Sequence, residues 1–259
     1  MDNHEQRIKF YPIRLVRDDL ENIPHYELPN GYSFRFYRDE RDIDIWIDIE
    51  KSAKEFISYS EGIRNFEAYF GKYKELLGNR MLFIISPNGE AVATASAYFE
   101  PWDDESVGWL HWVAVRREYQ GKGLSRPLIS KTLETLKMLG YKTAKVPTQT
   151  TSWVAARLYL DFGYYPEPQN AIDSEYGYRI LNTLTSHPKL AHFEKVEYDD
   201  IFDREVCDVG DFVRTELVGA GEMKVLTKYK LVMVEHEGVV KEFNYEYING
   251  EIKLSEKTV

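Results

Sequence analysis

The chain has 259 residues, of which 43% are apolar, and its 33 basic and 43 acidic side chains give a formal net charge of −10. This length predicts one large or two modest folded domains, and the apolar content excludes wholesale disorder. The acidic surplus argues against nucleic-acid binding and against an anionic membrane surface, and it favours cationic partners such as amines; no apolar run reaches the ~20 residues that span a bilayer.

The N-terminal region is predicted to be an arm followed by a strand and two helices. Residues 1–31 form the arm, whose polar start does not resemble a secretory signal, so we expect a cytoplasmic protein. A strand is predicted at Tyr32–Tyr37. The segment Asp42–Glu50 fits a strand as well as a helix, and we predict a helix because acids near its start suit a helix N-terminus. A second helix, ending at Gly78, is predicted by apolar side chains at helical spacing, namely Phe66, Tyr69, Phe70, Tyr73, Leu76 and Leu77.

The middle of the chain alternates between strand and helix signals. Two β-rich runs, Met81–Ser86 and Ala91–Phe99, flank a Pro-Asn-Gly-Glu turn and predict a hairpin. Further elements follow in the order strand, helix, strand, helix, with predicted bounds Gly108–Val115, Leu124–Leu139, Lys142–Pro147 and Trp153–Phe162.

The C-terminal part is predicted to be a β-rich extension. We place the boundary so that residues 1–188 form the first domain and residues 189–259 the extension, which carries a net charge of −6. Within it, the acidic stretch 194–211 is expected to be a solvated connector. Turns at Glu237-Gly238 and Asn249-Gly250 then predict an antiparallel meander of three strands, at Met223–Glu235, Val239–Ile248 and Glu251–Leu254.

The turn between the predicted strand Gly108–Val115 and the long helix has the features of a phosphate site. Gly121 and Gly123 let the backbone approach a ligand, and the helix N-terminus offers free N–H groups and a positive dipole end. Residues 116–131 carry a local charge of +4 in a protein of net charge −10. The pattern matches neither a P-loop nor a dinucleotide fingerprint, and a tight turn without a ligand is the alternative.

Two linked sequence motifs include this turn and the helix that follows the next strand. They read Gln120-x-x-Gly123-x-Ser125 and Ser152-x-x-Ala155-x-x-Leu158-Tyr159-x-x-x-Gly163-Tyr164. The pair resembles motifs A and B of the GNAT superfamily of N-acetyltransferases, except that Ser125 replaces a Gly or Ala and Ser152 replaces an Asn. The resemblance covers residues 32–166. It implies an α/β (α+β) fold with a mixed, mostly antiparallel central sheet and flanking helices, to which this chain adds the mainly antiparallel C-terminal β extension.

The resemblance also implies acetyl-CoA as a co-substrate that is bound mainly by backbone groups. The N–H groups of residues 121–126 are expected to hold the pyrophosphate, and the edge of Val113–Val115 is expected to bond the pantetheine arm where the next strand splays away. Pro147 agrees with such an opening, because proline cannot donate to a strand ladder. The predicted cofactor-binding residues are Val113, Ala114, Val115, Gln120, Gly121, Lys122, Gly123, Leu124, Ser125, Arg126 and Ser152.

Transfer to an amine needs an acid for the departing thiolate and a base for the proton of the amine. By resemblance, Tyr159 is the acid, and packing of its ring between helix and sheet is the alternative. We predict His111 as the base, because strand alternation places it on the face of Val113 and imidazole titrates near neutrality; a hydrogen-bonded core histidine is the alternative. Acids of the preceding loop could recruit or deprotonate the amine, although solvated charges are the simpler interpretation, and these are Glu100, Asp103, Asp104 and Glu105.

We therefore predict an acetyl-CoA-dependent N-acetyltransferase that acts on a primary amine of a small molecule or peptide. The only cysteine, Cys207, lies in the extension, so direct transfer in a ternary complex is favoured over an acetyl-enzyme, and neither a disulfide framework nor a metal site is expected. The alternative function is a catalytically silent acyl-CoA-binding module that engages a partner. Neither nucleic acid nor a membrane is an expected partner, and a homodimer is compatible with the sequence.

Overall fold

The computed structural model describes residues 5–168, 171–217, 219–236 and 239–257. Within these ranges, no helix is both long and apolar enough to cross a membrane. The strands form one seven-stranded sheet and a separate four-stranded sheet.

The described residues form eleven strands and six α-helices. The strands are β1 (Pro12–Arg17), β2 (Ser33–Phe36), β3 (Met81–Ile85), β4 (Ala91–Tyr98), β5 (Val107–Val115), β6 (Thr143–Gln149), β7 (Tyr165–Pro166), β8 (Ala220–Leu226), β9 (Leu231–His236), β10 (Val239–Ile248) and β11 (Glu251–Glu256). The helices are α1 (Arg41–Ser52), α2 (Tyr59–Phe70), α3 (Ser125–Met138), α4 (Trp153–Asp161), α5 (Ala171–Thr185) and α6 (Arg204–Glu216).

The seven-stranded sheet has the order β2-β3-β4-β5-β6-β1-β7. Its neighbours run antiparallel except for β5 and β6, which are parallel. The expected fold class, a mixed and mostly antiparallel sheet with flanking helices, is confirmed. The position of β1 is a difference, because the sequence indicates no long element in the arm. Its Ile13 and Leu15 alternate into the core, and the strand pairs with β6 on one side and β7 on the other.

Helices cover both faces of this sheet, and successive side chains of β3 alternate between two cores. Leu82 and Ile84 belong to the core that includes α3, whereas Met81 and Phe83 belong to the core that includes α1 and α2. The helix predicted at Asp42–Glu50 is confirmed as α1.

The predicted helix through Gly78 is wrong in its second half, because α2 ends at Phe70. The chain continues as the 3-10 segment Gly71–Asn79, which contains a non-helical Tyr73. The start of α2 is fixed by reciprocal capping. Ser58 Oγ accepts a hydrogen bond from the Glu61 N–H at 3.1 Å, and a Glu61 carboxylate oxygen accepts one from Ile57 N–H at 3.2 Å.

A bulge in β5 changes which side chains share a face. Trp112 has a φ of 51°, and the pairing with β4 shifts there, so that Ser96 faces His111 and Thr94 faces Ala114. As a result, Trp112 and Ala114 pack in the core of α1 and α2, and Val113 lies in the core of α3. The predicted common face of His111 and Val113 is therefore wrong, since the extra residue of a bulge shifts the alternation by one position.

The sheet opens between β5 and β6. Their parallel pairing runs from Val107–Thr143 to Trp109–Lys145 and then stops, while β6 remains paired with β1 as far as Gln149. Pro147 lies opposite Arg14 of β1 in this second ladder. The prediction that pairing to the preceding strand has opened at Pro147 is confirmed.

The C-terminal sheet has the order β11-β10-β9-β8 and packs on α6. Instead of one strand at Met223–Glu235, the chain turns at Thr227–Tyr229, and Lys230 has a left-handed φ of 48°. The hairpin turn at Asn249-Gly250 is confirmed. Glu237-Gly238 lies outside the described residues.

The acidic stretch 194–211 is not only a connector, because α6 begins within it. Asp203 caps this helix by accepting a hydrogen bond from the Val206 N–H at 3.1 Å. Val209 and Val213 of α6 are completely buried against the sheet. The domain boundary between residues 188 and 189 stays a prediction.

Candidate active site

A cavity of about 320 Å³ lies where β5 and β6 diverge. Its walls come from β5, the start of α3, the end of β6, α4, and the end of α1 with the loop that follows it. Six of the predicted cofactor-binding residues line it, and these are Val113, Ala114, Val115, Gln120, Ser125 and Ser152. Both predicted catalytic residues, Tyr159 and His111, line it as well. Segments far apart in the sequence therefore meet in one cavity.

The turn between β5 and α3 has the backbone form of an anion cradle. Gly121 and Gly123 have φ values of 74° and 78°, and a Cβ built on either one would meet no atom within 4 Å. The N-cap residue of α3, Leu124, supplies no side-chain cap, so the first N–H groups of the helix are left to other acceptors. Gln120 holds the turn to β5, since its Nε2 donates a hydrogen bond to the carbonyl oxygen of Val115 at 3.1 Å.

Three further residues predicted to bind the cofactor lie outside the cavity lining. The ammonium of Lys122 lies 4.2 Å from the ring centroid of Tyr119. Leu124 is buried in the core against the sheet. Arg126 pairs with Asp161 at the end of α4, with 3.0 Å between the guanidinium and the carboxylate. The prediction that these residues bind phosphate therefore concerns their backbone N–H groups and not their side chains.

Ser152 occupies the position before α4 and is buried. Its Oγ accepts a hydrogen bond from Gln149 Nε2 at 2.8 Å. The two side chains tie the end of β6 to the start of α4, and both line the cavity. The serine thus already has a bond within the protein.

Tyr159 projects from α4 into the cavity and is only 5% exposed. Burial, followed by the charges of Glu55 and Glu50, raises the pKa of its hydroxyl well above the usual value. The hydroxyl therefore keeps its proton at neutral pH. Its ring also packs against Tyr164, with 6.1 Å between the centroids. Tyr159 therefore packs in the core and also lines the cavity, so its position is compatible with both alternatives given for it in the sequence analysis.

His111 is 4% exposed and packs among aromatic rings from three elements. Its ring centroid lies 5.7 Å from that of Tyr69 and 6.0 Å from that of Tyr98. Its Nε2 lies 3.2 Å from Glu100 Oε1, without the geometry of a hydrogen bond in the described structure. The structure therefore places Glu100, one of the loop acids, next to the imidazole.

Two of the three remaining loop acids have other partners. Asp103 accepts hydrogen bonds from Trp109 Nε1 at 3.1 Å and forms an ion pair with Lys145 at 2.9 Å. Asp104 accepts a hydrogen bond from the Ser106 hydroxyl at 2.6 Å. Glu105 is exposed to solvent. None of these three lines the cavity in the described part of the chain.

Sequence reasoning missed two acids of the cavity, Glu50 at the end of α1 and Glu55 in the following loop. Glu50 is 1% exposed, and burial, followed by the charge of Glu55, raises its pKa well above the usual value. A signal was present, because Glu50 falls at helical spacing with the apolar Ile43 and Ile47. A carboxyl on the apolar face of a helix is seldom buried without a function.

The C-terminal sheet contacts the loop between α1 and α2, which contributes to the cavity wall. Lys224 of β8 donates hydrogen bonds to Glu61 Oε1 at 2.8 Å and to the backbone oxygen of Glu55 at 3.2 Å. Glu222, also on β8, pairs with Lys54 of the same loop at 3.1 Å. The extension therefore holds one wall of the candidate site.

Parts of the chain are similar to known proteins. The chain is similar to solved GCN5-related N-acetyltransferases from Sphaerobacter thermophilus (21% identity, 61% of this chain and 50% of that chain, TM-score 0.46) and Kribbella flavida (16% identity, 60% of this chain and 54% of that chain, TM-score 0.44). It thus spans about half the length of these proteins, and no curated protein sequence matches it. Residues 43–164 match the family described as acetyltransferase (GNAT) family. This match covers slightly less than half of the chain, and over these residues the chain is similar to GNAT acetyltransferases.

Proposed function

We propose that the protein is an acetyl-CoA-dependent N-acetyltransferase that transfers the acetyl group directly to a primary amine. The observation that carries this proposal is the opening between β5 and β6, where the two motif segments and two candidate catalytic side chains line one cavity. The acceptor would be a small molecule or a peptide amine.

The residues present fit acetyl-CoA. Residues 110–114 of β5 have no ladder partner on the β6 side in the described structure, so the backbone groups on that edge of the strand can bond an extended arm. The two glycines of the turn leave open space over the N–H groups before α3, where a pyrophosphate would be held. When bound, acetyl-CoA supplies the thioester whose carbonyl carbon the amine attacks.

Tyr159 is the proposed acid. Because burial and two nearby carboxyls keep its hydroxyl protonated at neutral pH, it can donate a proton to the departing thiolate, which is a stronger base than the thioester sulfur. No second role is required of the ring, although its packing against Tyr164 fixes its direction.

The amine must lose its proton before it can attack, since an alkylamine with a pKa near that of lysine, ~10.4, is charged at neutral pH. The groups in the cavity lining that could accept this proton include the imidazole of His111 and the carboxylate of Glu50. Direct transfer agrees with the position of Cys207, which lies on α6 and does not line this cavity.

The test combines acetyl-CoA calorimetry with a thiol-release assay on a panel of primary amines. Tyr159→Phe should lower turnover by about 100-fold while leaving acetyl-CoA affinity unchanged, because only the proton donor is lost. Tyr164→Phe is the matched control, since it removes the hydroxyl of a buried neighbouring tyrosine and should not change turnover.

The outcomes separate the two functions. Acetyl-CoA binding without thiol release on any amine would instead indicate a silent acyl-CoA-binding module. Failure to bind acetyl-CoA would refute both functions. An unchanged rate for Tyr159→Phe in an active enzyme would remove Tyr159 from the mechanism.

A further inference from the structure

A buried carboxyl in the wall of the cavity has one oxygen without a hydrogen-bond partner in the described part of the chain. Glu50 occupies the last turn of α1, and its Oε1 has no hydrogen-bond partner among the described residues. Its neighbours one turn away, Trp46 and Ile47, are completely buried core side chains. Burial of a carboxyl oxygen without a hydrogen bond is unfavourable, so such a group is expected where a ligand completes its bonding.

The charged surroundings of Glu50 indicate the sign of that ligand. Glu55 lies close enough to contribute to the raised pKa of Glu50, and both carboxyls lie close enough to Tyr159 to affect its pKa. The other titratable side chains that line the cavity are Tyr69 and His111. No Lys or Arg among the described residues lines it, so the lining supplies no cationic side chain to Glu50, and a cationic ligand would supply one.

Aromatic rings that line the same cavity are suited to the same ligand. Trp112 lines the cavity at the bulge of β5, and its ring lies 5.1 Å from Tyr69 and 5.4 Å from Phe56. The indole Nε1 of Trp112 is also buried without a hydrogen-bond partner in the described chain. Aromatic faces attract ammonium groups, most strongly where water is excluded.

We propose that Glu50 binds the ammonium group of the acceptor and receives its proton, which makes this side chain the general base of the transfer. This inference rests on the proposed N-acetyltransferase activity and defines its substrates as amines that enter as cations. His111 then keeps its contact with Glu100 and is not required to take the proton.

The protons and bonds balance as follows. The ammonium passes one proton to Glu50, and the lone pair of the neutral amine forms the new N–C bond while the C–S bond breaks. Tyr159 gives its proton to the thiolate and regains one from the nitrogen as the amide forms. Glu50 then releases its proton to solvent, so each turnover produces one amide, one thiol and one proton.

The ionised form of Glu50 is the reactive one, so the rate is expected to rise with pH through the pKa of this group. Because that pKa is raised, the acidic limb lies at a higher pH than an ordinary glutamate would give. The other titratable groups that line the cavity and could alter this limb are Glu55, Tyr159, Tyr69 and His111.

The experiment measures thiol release by the full chain with 2-phenylethylamine, which is a cation at neutral pH, and with aniline, which is neutral. Glu50→Gln keeps the size of the side chain and should lower kcat/KM for 2-phenylethylamine by about 100-fold or more, with a much smaller loss for aniline. The acidic limb of the pH profile should disappear for 2-phenylethylamine. Acetyl-CoA affinity should not change.

Two variants serve as comparisons. Glu75→Gln removes an exposed acid of the 3-10 segment after α2 and should behave like the wild type. His111→Gln decides between the two candidate bases, because a loss of 100-fold in this variant, with Glu50→Gln active, would overturn the proposal.

The remaining outcomes also decide the question. Activity of Glu50→Gln within 3-fold of the wild type would refute the role of Glu50 while leaving the proposed acetyltransferase intact. Absence of thiol release by the wild type with every amine would refute both. If Glu50→Gln does not fold, the wild-type pH profiles decide, and an equal acidic limb for aniline and 2-phenylethylamine would overturn the proposal.

Discussion

The contact between the C-terminal sheet and the wall of the cavity can be tested at Lys224. Its ammonium donates to Glu61 Oε1 at 2.8 Å and to the backbone oxygen of Glu55 at 3.2 Å. Glu61 in turn accepts a hydrogen bond from Ile57 N–H, and its own N–H bonds to Ser58. Lys224 of the extension is therefore bonded directly to Glu55 of the loop and, through Glu61, to Ile57 and Ser58 at the end of the loop.

We expect Lys224→Met to loosen this loop, because methionine preserves the apolar stem and removes both hydrogen bonds. The side chains of Lys224 and Glu61 are 25% and 17% exposed, so solvent weakens the ion pair only in part. A hydrogen bond to a charged group contributes about 1.5–3 kcal/mol, and we take the lower limit for this partly exposed pair. Since 1.4 kcal/mol is a factor of ten, loop opening should become about tenfold more frequent.

Amide hydrogen exchange followed by mass spectrometry measures this opening directly for peptides that cover residues 53–58. Exchange in the variant should be about tenfold faster there and unchanged in peptides from α3. The KM for the amine should rise, whereas acetyl-CoA affinity should stay the same, because the cradle at Gly121 and Gly123 is not altered. Lys228→Met is the control, since Lys228 belongs to the same sheet unit and is exposed.

The reasoning would be refuted if exchange in residues 53–58 were the same in Lys224→Met and Lys228→Met. It would also be refuted if exchange increased equally throughout the chain, because that result would indicate global destabilisation rather than release of one loop.

Two predictions concern the fold that supports the site. Gly62→Ala should lower the free energy of unfolding by about 1–2 kcal/mol, because the new Cβ would lie 2.6 Å from Ile47 Cγ2. This overpacking is expected to outweigh the better helix propensity of alanine. An unchanged urea midpoint would contradict this prediction. Asp42 is buried, which raises its pKa, yet hydrogen bonds from Arg35 and the Arg38 N–H lower that pKa overall. Its native pKa thus lies below the unfolded value of ~3.9, so its stabilisation is complete above pH ~4 and decreases as pH falls through the native pKa. Asp42→Asn should flatten the decline in urea midpoint below pH 4, and an equally steep decline would contradict this assignment.

The parts of the fold that follow from local sequence were predictable. The turn with Gly121 and Gly123 needs positive φ at both positions, which glycine adopts readily. The residues around it predict the strand, the turn and the helix in the correct order. Pro147 likewise marks the loss of strand pairing through its missing N–H. Such features depend only on a few residues that are adjacent in the sequence, so the sequence is enough to predict them.

The parts that depend on distant partners were not predictable. The strand β1 is recognisable only beside β6, more than a hundred residues later, because a six-residue strand with a proline has little local signature. The bulge at Trp112 arises from the register with β4, and it moves His111 away from the face that alternation assigns. Glu50 has the spacing of a core residue and the chemistry of a surface one, so only the packed structure shows that it is buried beside a cavity.

The opening between β5 and β6 depends on the strand β1 that the sequence did not indicate. A strand that leaves its neighbour loses ladder hydrogen bonds on one edge, and β6 would be unsupported if β5 were its only partner. Pairing with β1 from Arg17–Ala144 to Pro12–Gln149 holds β6 in the sheet beyond the point of divergence.

Ion pairs also stabilise the last pair of residues in the β5–β6 ladder before the opening. Trp109 pairs with Lys145 there, and the Lys145 ammonium lies between Asp103 at 2.9 Å and Glu167 at 3.0 Å. The divergence thus begins beyond Trp109. There, the β5 backbone groups on the β6 side have no ladder partner in the described structure, and these residues line the cavity. These are the groups that an extended thioester arm would bond in the proposed reaction, so the arm strand β1 and the Lys145 ion pairs support the site without touching the reacting atoms.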